Sequence, residues 1–133
     1  QGLLQHPDFY KVGVSNQLHD SRLMTAPLHG EMFEGISGPS GEHQYPEDLV
    51  ENLKGKLLLI NGMLDVTAPP ATVFRVVEAL QKANKDFDLL LLPNVGHGPS
   101  SYVTRRIWDY LVKHLLDVDP PREFPLMVTV YGD

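Results

Sequence analysis

The sequence predicts an α/β domain built on parallel strands, and three observations carry that expectation. Residues 56 to 62, KLLLING, form an unbroken apolar run ending at Gly62 and preceded by Gly55. That is the pattern of a strand covered on both faces in a parallel sheet, not of one that alternates against water. Residues 86 to 93, DFDLLLLP, repeat it. Two stretches of helical periodicity stand between and after these runs, so strand, helix, strand and helix fill residues 56 to 117 as a βαβα unit.

Taken in order, residues 9 to 15 (FYKVGVS) alternate and end in small residues, which suits a short strand. From Asn16 to about Leu53 the chain is rich in Gly, Pro, Ser and His, with helical hints only in LHGEMFEG and PEDLVENL. A connection this long inside a compact domain points either to a functional surface or to structure that the pattern does not reveal. The helix PPATVFRVVEALQKANK opens on prolines, which fit a first turn because its backbone donors have no intrahelical partner. It sets Val73, Val77, Leu80 and Ala83 or Asn84 on one face, and Arg75, Glu78, Gln81 and Lys82 on the other. In SSYVTRRIWDYLVKHLLDV, Val103, Ile107, Leu111 and Leu115 recur at fourfold spacing. Ser100 or Ser101 can cap that helix, and Pro120 and Pro121 are expected to stop it. Residues 125 to 133 have strand composition and are expected to add a strand or to form a flexible tail.

Composition narrows the function classes. With 133 residues, 42% of them hydrophobic, the chain is sized for a single domain over 1–133. A formal charge of −6 with scattered Lys and Arg leaves no basic footprint for nucleic acid. No apolar run approaches the roughly 18 to 20 residues that cross a bilayer, so no membrane partner is expected. The absence of cysteine excludes disulfides, thiolate metal sites and thiol catalysis. His6, His19, His29, His43 and His114 lack metal-ligand spacing, and neither a metal nor a cofactor is expected. The opening QGLLQHPDFY has no methionine and reads as the end of a helix, hence as a cut edge.

In an open parallel sheet, reactive groups gather at the carboxyl ends of the strands. Asp65 follows the first buried run after the turn GML, and His97 follows the second after PNVG. Neighbouring strands would bring this carboxylate and imidazole together as the orienter and base of a triad, with the carboxylate accepting from Nδ1 and Nε2 serving as the base nitrogen. Gly62, Gly96 and Gly98 suit tight turns and close approaches around the pair. Taken singly, a histidine between glycines is as compatible with a structural role, and an aspartate after a strand with a turn or helix cap. Both readings stand at this point.

Four stretches, HPDFYKVGVS, ENLKGKLLLINGMLD, FRVVEALQKANKDFDLLLLPNVGHG and RRIWDYLVKHLLDVDPPREF, resemble the C-terminal part of the catalytic α/β-hydrolase domain in the prolyl oligopeptidase family, especially its dipeptidyl peptidase IV-like members. The resemblance extends over residues 4 to 124. It implies a partial α/β-hydrolase fold that lacks the N-terminal half of the sheet, and a serine peptidase with a Ser-Asp-His triad acting on peptides. Carried over by motif, Asp65 of the G-x-x-D turn is the acid and His97 of G-H-G is the base. The G-x-S-x-G elbow that would hold the nucleophile occurs nowhere in the 133 residues, and Ser15, Ser37, Ser40, Ser100 and Ser101 stand in the wrong contexts to replace it. The chain alone is therefore expected to be inactive. Family members that release N-terminal dipeptides commonly read D-D-N-V at the acid, whereas this chain reads Asp65-Val66-Thr67-Ala68. A threonine cannot make an amide's contacts, so the expected chemistry is peptidase or esterase hydrolysis at large. A non-catalytic scaffold descended from a hydrolase, and another α/β-hydrolase such as an esterase, are the competing readings. A sheet cut in this way would expose an edge, from which self-association into a homo-oligomer is expected.

Overall fold

The structure is a computed structural model and describes residues 1–18, 44–98 and 100–122. Most of the long polar connection, including the hint at LHGEMFEG, and the strand-like segment 125 to 133 lie outside the described residues. In chain order the described elements are α1 (Gly2–Gln5), β1 (Val12–Asn16), α2 (Pro46–Leu49) running into a 3₁₀ turn (Val50–Asn52), β2 (Lys56–Gly62), α3 (Pro70–Lys82), β3 (Asp88–Leu92) and α4 (Ser101–Leu116). They fall into two compact units, Gln1–His97 and the segment from Gly98 onward.

In the first unit the three strands form one parallel sheet in the order β1-β2-β3. The register pairs Val12 with Lys56 and Asn16 with Ile60 on one side of β2, and Leu58 with Asp88 and Gly62 with Leu92 on the other. This is the partial α/β-hydrolase arrangement the sequence predicts. Lying in the middle, β2 hides every residue after Lys56. Its face carrying Leu57 and Leu59 meets Val73, Val76 and Leu80 of α3, together with Leu3 and Leu4 of α1 and Leu49, Val50 and Leu53. Burial of about ten such side chains, each contributing on the order of 1.5–3 kcal/mol, is the main force holding the first unit together.

Several local expectations need correction. β1 begins at Val12, not at Phe9, because Phe9 and Tyr10 belong to the turn that closes on the His6 carbonyl after α1. The four leucines of β3 are exposed or half-buried, since β3 is an outer strand of the described sheet. On α3 the buried set is Thr72, Val73, Val76 and Leu80, while Val77 is half-buried. Asn84 lies beyond the helix in the left-handed region, φ 52°. Thr72 is buried because its hydroxyl lies 2.7 Å from the Pro69 carbonyl and 2.9 Å from that of Leu18, which ties the helix start to the end of β1.

In the second unit α4 is capped by Ser100, whose Oγ accepts from Val103 N at 3.5 Å. Its buried residues are Val103 and Tyr110, whereas Leu115 is 56% exposed. At 3.6 residues per turn, fourfold spacing drifts by roughly 40° a step, so Leu115 has rotated about 120° away from Val103. The helix ends at Asp117, in the left-handed region with φ 54°, before either proline.

Truncation of Leu80, which has no solvent exposure, to alanine is expected to cost about 2–5 kcal/mol of unfolding free energy in urea titrations. Gln81→Ala on the outer face of the same helix should stay within about 0.5 kcal/mol.

Candidate functional site

The parallel ladder of β2 and β3 continues past its last paired residues. Met63 N–H donates to the Leu92 carbonyl at 2.9 Å, and Leu64 N–H donates to the Val95 carbonyl at 3.1 Å. Two turns that follow different strands are thereby bound to each other through their backbones. Gly62 makes the approach possible: a Cβ there would collide with the Val95 carbonyl oxygen and lie 3.0 Å from that of Gly96. Gly98, at φ +146°, adopts a backbone open to glycine and few others. Gly96 is different, since an added Cβ would meet only Leu64 O at 3.7 Å, so nothing around it demands a glycine.

The linked turns bring Asp65 and His97 together. His97 Nδ1 lies 3.0 Å from Asp65 Oδ2 and 3.2 Å from Oδ1. A carboxylate can only accept, so Nδ1 carries the proton and donates it, and Nε2 becomes the basic nitrogen of the ring. The Asp65 side chain has no solvent exposure, while that of His97 is 36% exposed. The carboxylate thus lies inside and the imidazole toward water.

A buried carboxylate has to be stabilised from within the protein. Asp65 Oδ1 accepts from Ala68 N–H at 2.7 Å and from Thr67 N–H at 2.9 Å, in a turn that opens with Asp65 N–H donating to the Gly62 carbonyl at 3.2 Å. Burial is the largest single influence on this carboxyl and acts to raise its pKa. The hydrogen bonds from Ala68, His97 and Thr67, with the attraction of the imidazolium, outweigh it and hold the group below the ordinary aspartate value. Thr67 therefore holds the carboxylate through its backbone N–H, and the residue is itself exposed, as are Met63, Leu64 and Val66.

One residue of the site escapes sequence reasoning. Asn61, the next-to-last residue of β2, is wholly buried, and its Nδ2 donates to the Gly62 carbonyl at 3.0 Å and to the Ala68 carbonyl at 3.1 Å. Its Oδ1 has no hydrogen-bond partner among the described residues, an arrangement that costs on the order of 1–3 kcal/mol. The available signal was a single amide at the end of the run KLLLI. Of the other histidines, His114 lies against the Tyr110 ring on α4, with centroids 4.4 Å apart. His19, His29 and His43 fall outside the described residues, as do Ser37 and Ser40. No group of three or more His, Asp or Glu side chains among the described residues could hold a metal ion.

Comparison with known proteins bears on this geometry. The family model described as the prolyl oligopeptidase family matches residues 2–117. A solved protein described as a dipeptidyl aminopeptidase IV from Bacteroides ovatus is 25% identical, with a TM-score of 0.68 over 84% of this chain and 17% of its own. The acylaminoacyl peptidase of Pyrococcus horikoshii is 17% identical, with a TM-score of 0.67 over 93% of this chain and 23% of its own. Acetyl xylan esterase 1 from Thermoanaerobacterium, 17% identical, aligns at a TM-score of 0.57 over 78% of this chain and 38% of its own. At 17% identity the last two share the fold alone. The chain spans less than a quarter of the two peptidases. No curated protein sequence matches it.

The lowered pKa of Asp65 carries a stability prediction. A carboxyl whose folded pKa lies below its unfolded one stabilises the native state above the unfolded value, and that contribution is lost as pH falls through the folded value. Urea titrations at successively lower pH should show the wild type exceeding Asp65→Asn in stability most at neutrality, with the gap closing below about pH 4. A gap that stays constant down to acid pH would contradict this account of the carboxylate.

Proposed function

This chain belongs to the prolyl oligopeptidase family, and we propose on that premise that Asp65 and His97 are the acid and base of a Ser-Asp-His triad in a serine peptidase. The observation that supports this reading best is the fully buried Asp65 carboxylate held against the Nδ1 side of a partly exposed imidazole at 3.0 Å. A salt bridge serving only stability has no need to turn one partner's ring toward solvent. The 133 residues are read as the C-terminal part of one hydrolase domain, with the nucleophilic serine and the groups that stabilise the oxyanion supplied elsewhere in the intact protein.

In the intact enzyme His97 Nε2 would remove the proton from the serine hydroxyl as its oxygen bonds to the scissile carbonyl carbon. Asp65 stabilises the imidazolium so formed and keeps the proton of Nδ1 in place. The same Nε2 proton then passes to the leaving amine as the carbon–nitrogen bond breaks, and water releases the acyl group by the same route in reverse. Because Asp65 is ionised and dry, its charge acts on the imidazolium with little screening. The exposed Met63, Leu64 and Val66 beside the acid offer an apolar, uncharged approach for a peptide chain. No amide stands at Thr67, which favours general peptide or ester hydrolysis over selection of N-terminal dipeptides.

The parent and the isolated chain behave oppositely under this reading. The 133-residue chain alone should turn over neither a chromogenic proline-containing peptide nor an activated ester, and turnover that His97→Ala abolishes would overturn its expected inertness. In the intact protein, Asp65→Asn should lower kcat by about 10⁴-fold, and hydrolysis indifferent to both His97→Ala and Asp65→Asn would defeat the triad assignment.

We propose further that the chain self-associates through a sheet edge. Among the described residues β1 and β3 each pair with β2 alone, and an unpaired parallel strand exposes backbone donors and acceptors that another chain can satisfy. Light scattering of the purified 133-residue chain at micromolar concentration should give a mass above that of a monomer; a monomeric mass counts against the proposal.

A further inference from the structure

We propose that Asn61 is a positioning residue whose buried amide clamps the two ends of the turn 62–68 and thereby holds the Asp65 carboxylate against His97. The proposal rests on the reading of Asp65 and His97 as an acid and base pair. Asn61 stands at the end of a strand whose preceding residues, Leu57 to Ile60, are apolar and buried. A leucine at this place would continue that pattern and would not bury an amide oxygen of its own that lacks a donor. What the amide supplies instead is two donors from one nitrogen, and both go to the turn: one to the Gly62 carbonyl at 3.0 Å, one to the Ala68 carbonyl at 3.1 Å. Each target accepts only, so the orientation of the amide is dictated; turning it over would set Oδ1 against two carbonyl oxygens.

Gly62 and Ala68 each also bond Asp65. Gly62 O also accepts from Asp65 N–H at 3.2 Å, and Ala68, whose carbonyl Asn61 binds, donates its own N–H to Asp65 Oδ1 at 2.7 Å. Asn61 is thus one residue removed from the carboxylate along both arms of the turn, without touching it. The Asp65–His97 separation of 3.0 Å depends on where that turn sits, because the imidazole approaches from a different strand. Loss of the clamp lets residues 62–68 widen and moves the carboxylate relative to a ring that does not move with it.

The test uses the intact protein with Asn61→Leu, which keeps the branched shape but removes both donors, and Asn61→Ser, which keeps one donor. Two readouts separate positioning from a general structural role: the downfield proton resonance of His97 Nδ1–H in its bond to Asp65, and the partition of any activity loss between kcat and KM. The expected result is a folded Asn61→Leu protein in which that resonance is lost or broadened and kcat falls on the order of 10²-fold, with KM changed by less than about twofold. Asn61→Ser should fall between it and the wild type in both readouts. An unaltered resonance with unaltered kcat in folded Asn61→Leu overturns the proposal, as does failure of both variants to fold, which would make Asn61 a core residue of the whole unit. Should His97→Ala leave hydrolysis by the intact protein unchanged, the peptidase reading fails, while the resonance still decides whether Asn61 positions the pair.

Discussion

The site depends on one constraint: two turns from neighbouring parallel strands are joined through the backbone beyond the point where the strands stop pairing. Met63 and Leu64 donate to the carbonyls of Leu92 and Val95, and the missing side chain of Gly62 gives the second of these carbonyls room. Parallel strands have slanted, evenly spaced bonds, and both chains leave the sheet at the same end. A residue shortly after β2 and one shortly after β3 are therefore brought to one edge. The register, Gly62 opposite Leu92, then sets how far along each turn the two side chains meet.

Electrostatics completes what the backbone begins. A carboxylate removed from water is unstable unless its charge is met by donors. For Asp65 the donors are two backbone N–H groups of its own turn and the proton of His97 Nδ1. The backbone donors are present whatever the state of the imidazole, which keeps the aspartate ionised. Membership of the prolyl oligopeptidase family gives that arrangement its chemical context, and the proposed triad rests on geometry and family together.

The parts of the fold legible in the sequence were those where local pattern and final environment agree. The run 57 to 61 reads as a buried parallel strand because it is central and covered. The proline-led start of α3 and the Ser100 cap of α4 were legible because helix ends depend on a few adjacent backbone groups. Elsewhere the environment decided. The leucines of β3 match those of β2 in composition, yet they line an outer strand and keep much of their exposure. Phe9 and Tyr10 look like strand residues but lie in a turn, since the hydrogen bonds that hold them go back to His6 rather than across to β2. The stripe on α4 drifted from fourfold spacing, an error of helix geometry rather than of composition.

Within the site, residue types and their order after two strands made Asp65 and His97 candidates while leaving a structural role for each open, because chain position marks which side chains reach the carboxyl ends of parallel strands but not whether they meet. The sequence by itself determined the buried strand, the turn chemistry of Gly62 and the candidates for proton transfer. Only the tertiary structure decided that their side chains meet at 3.0 Å, that the acid is dry while the base is partly wet, and that Asn61 braces the turn between them. The physical reason is that these facts rest on contacts between segments some thirty residues apart and on which face of a strand is covered, and local periodicity carries no record of either.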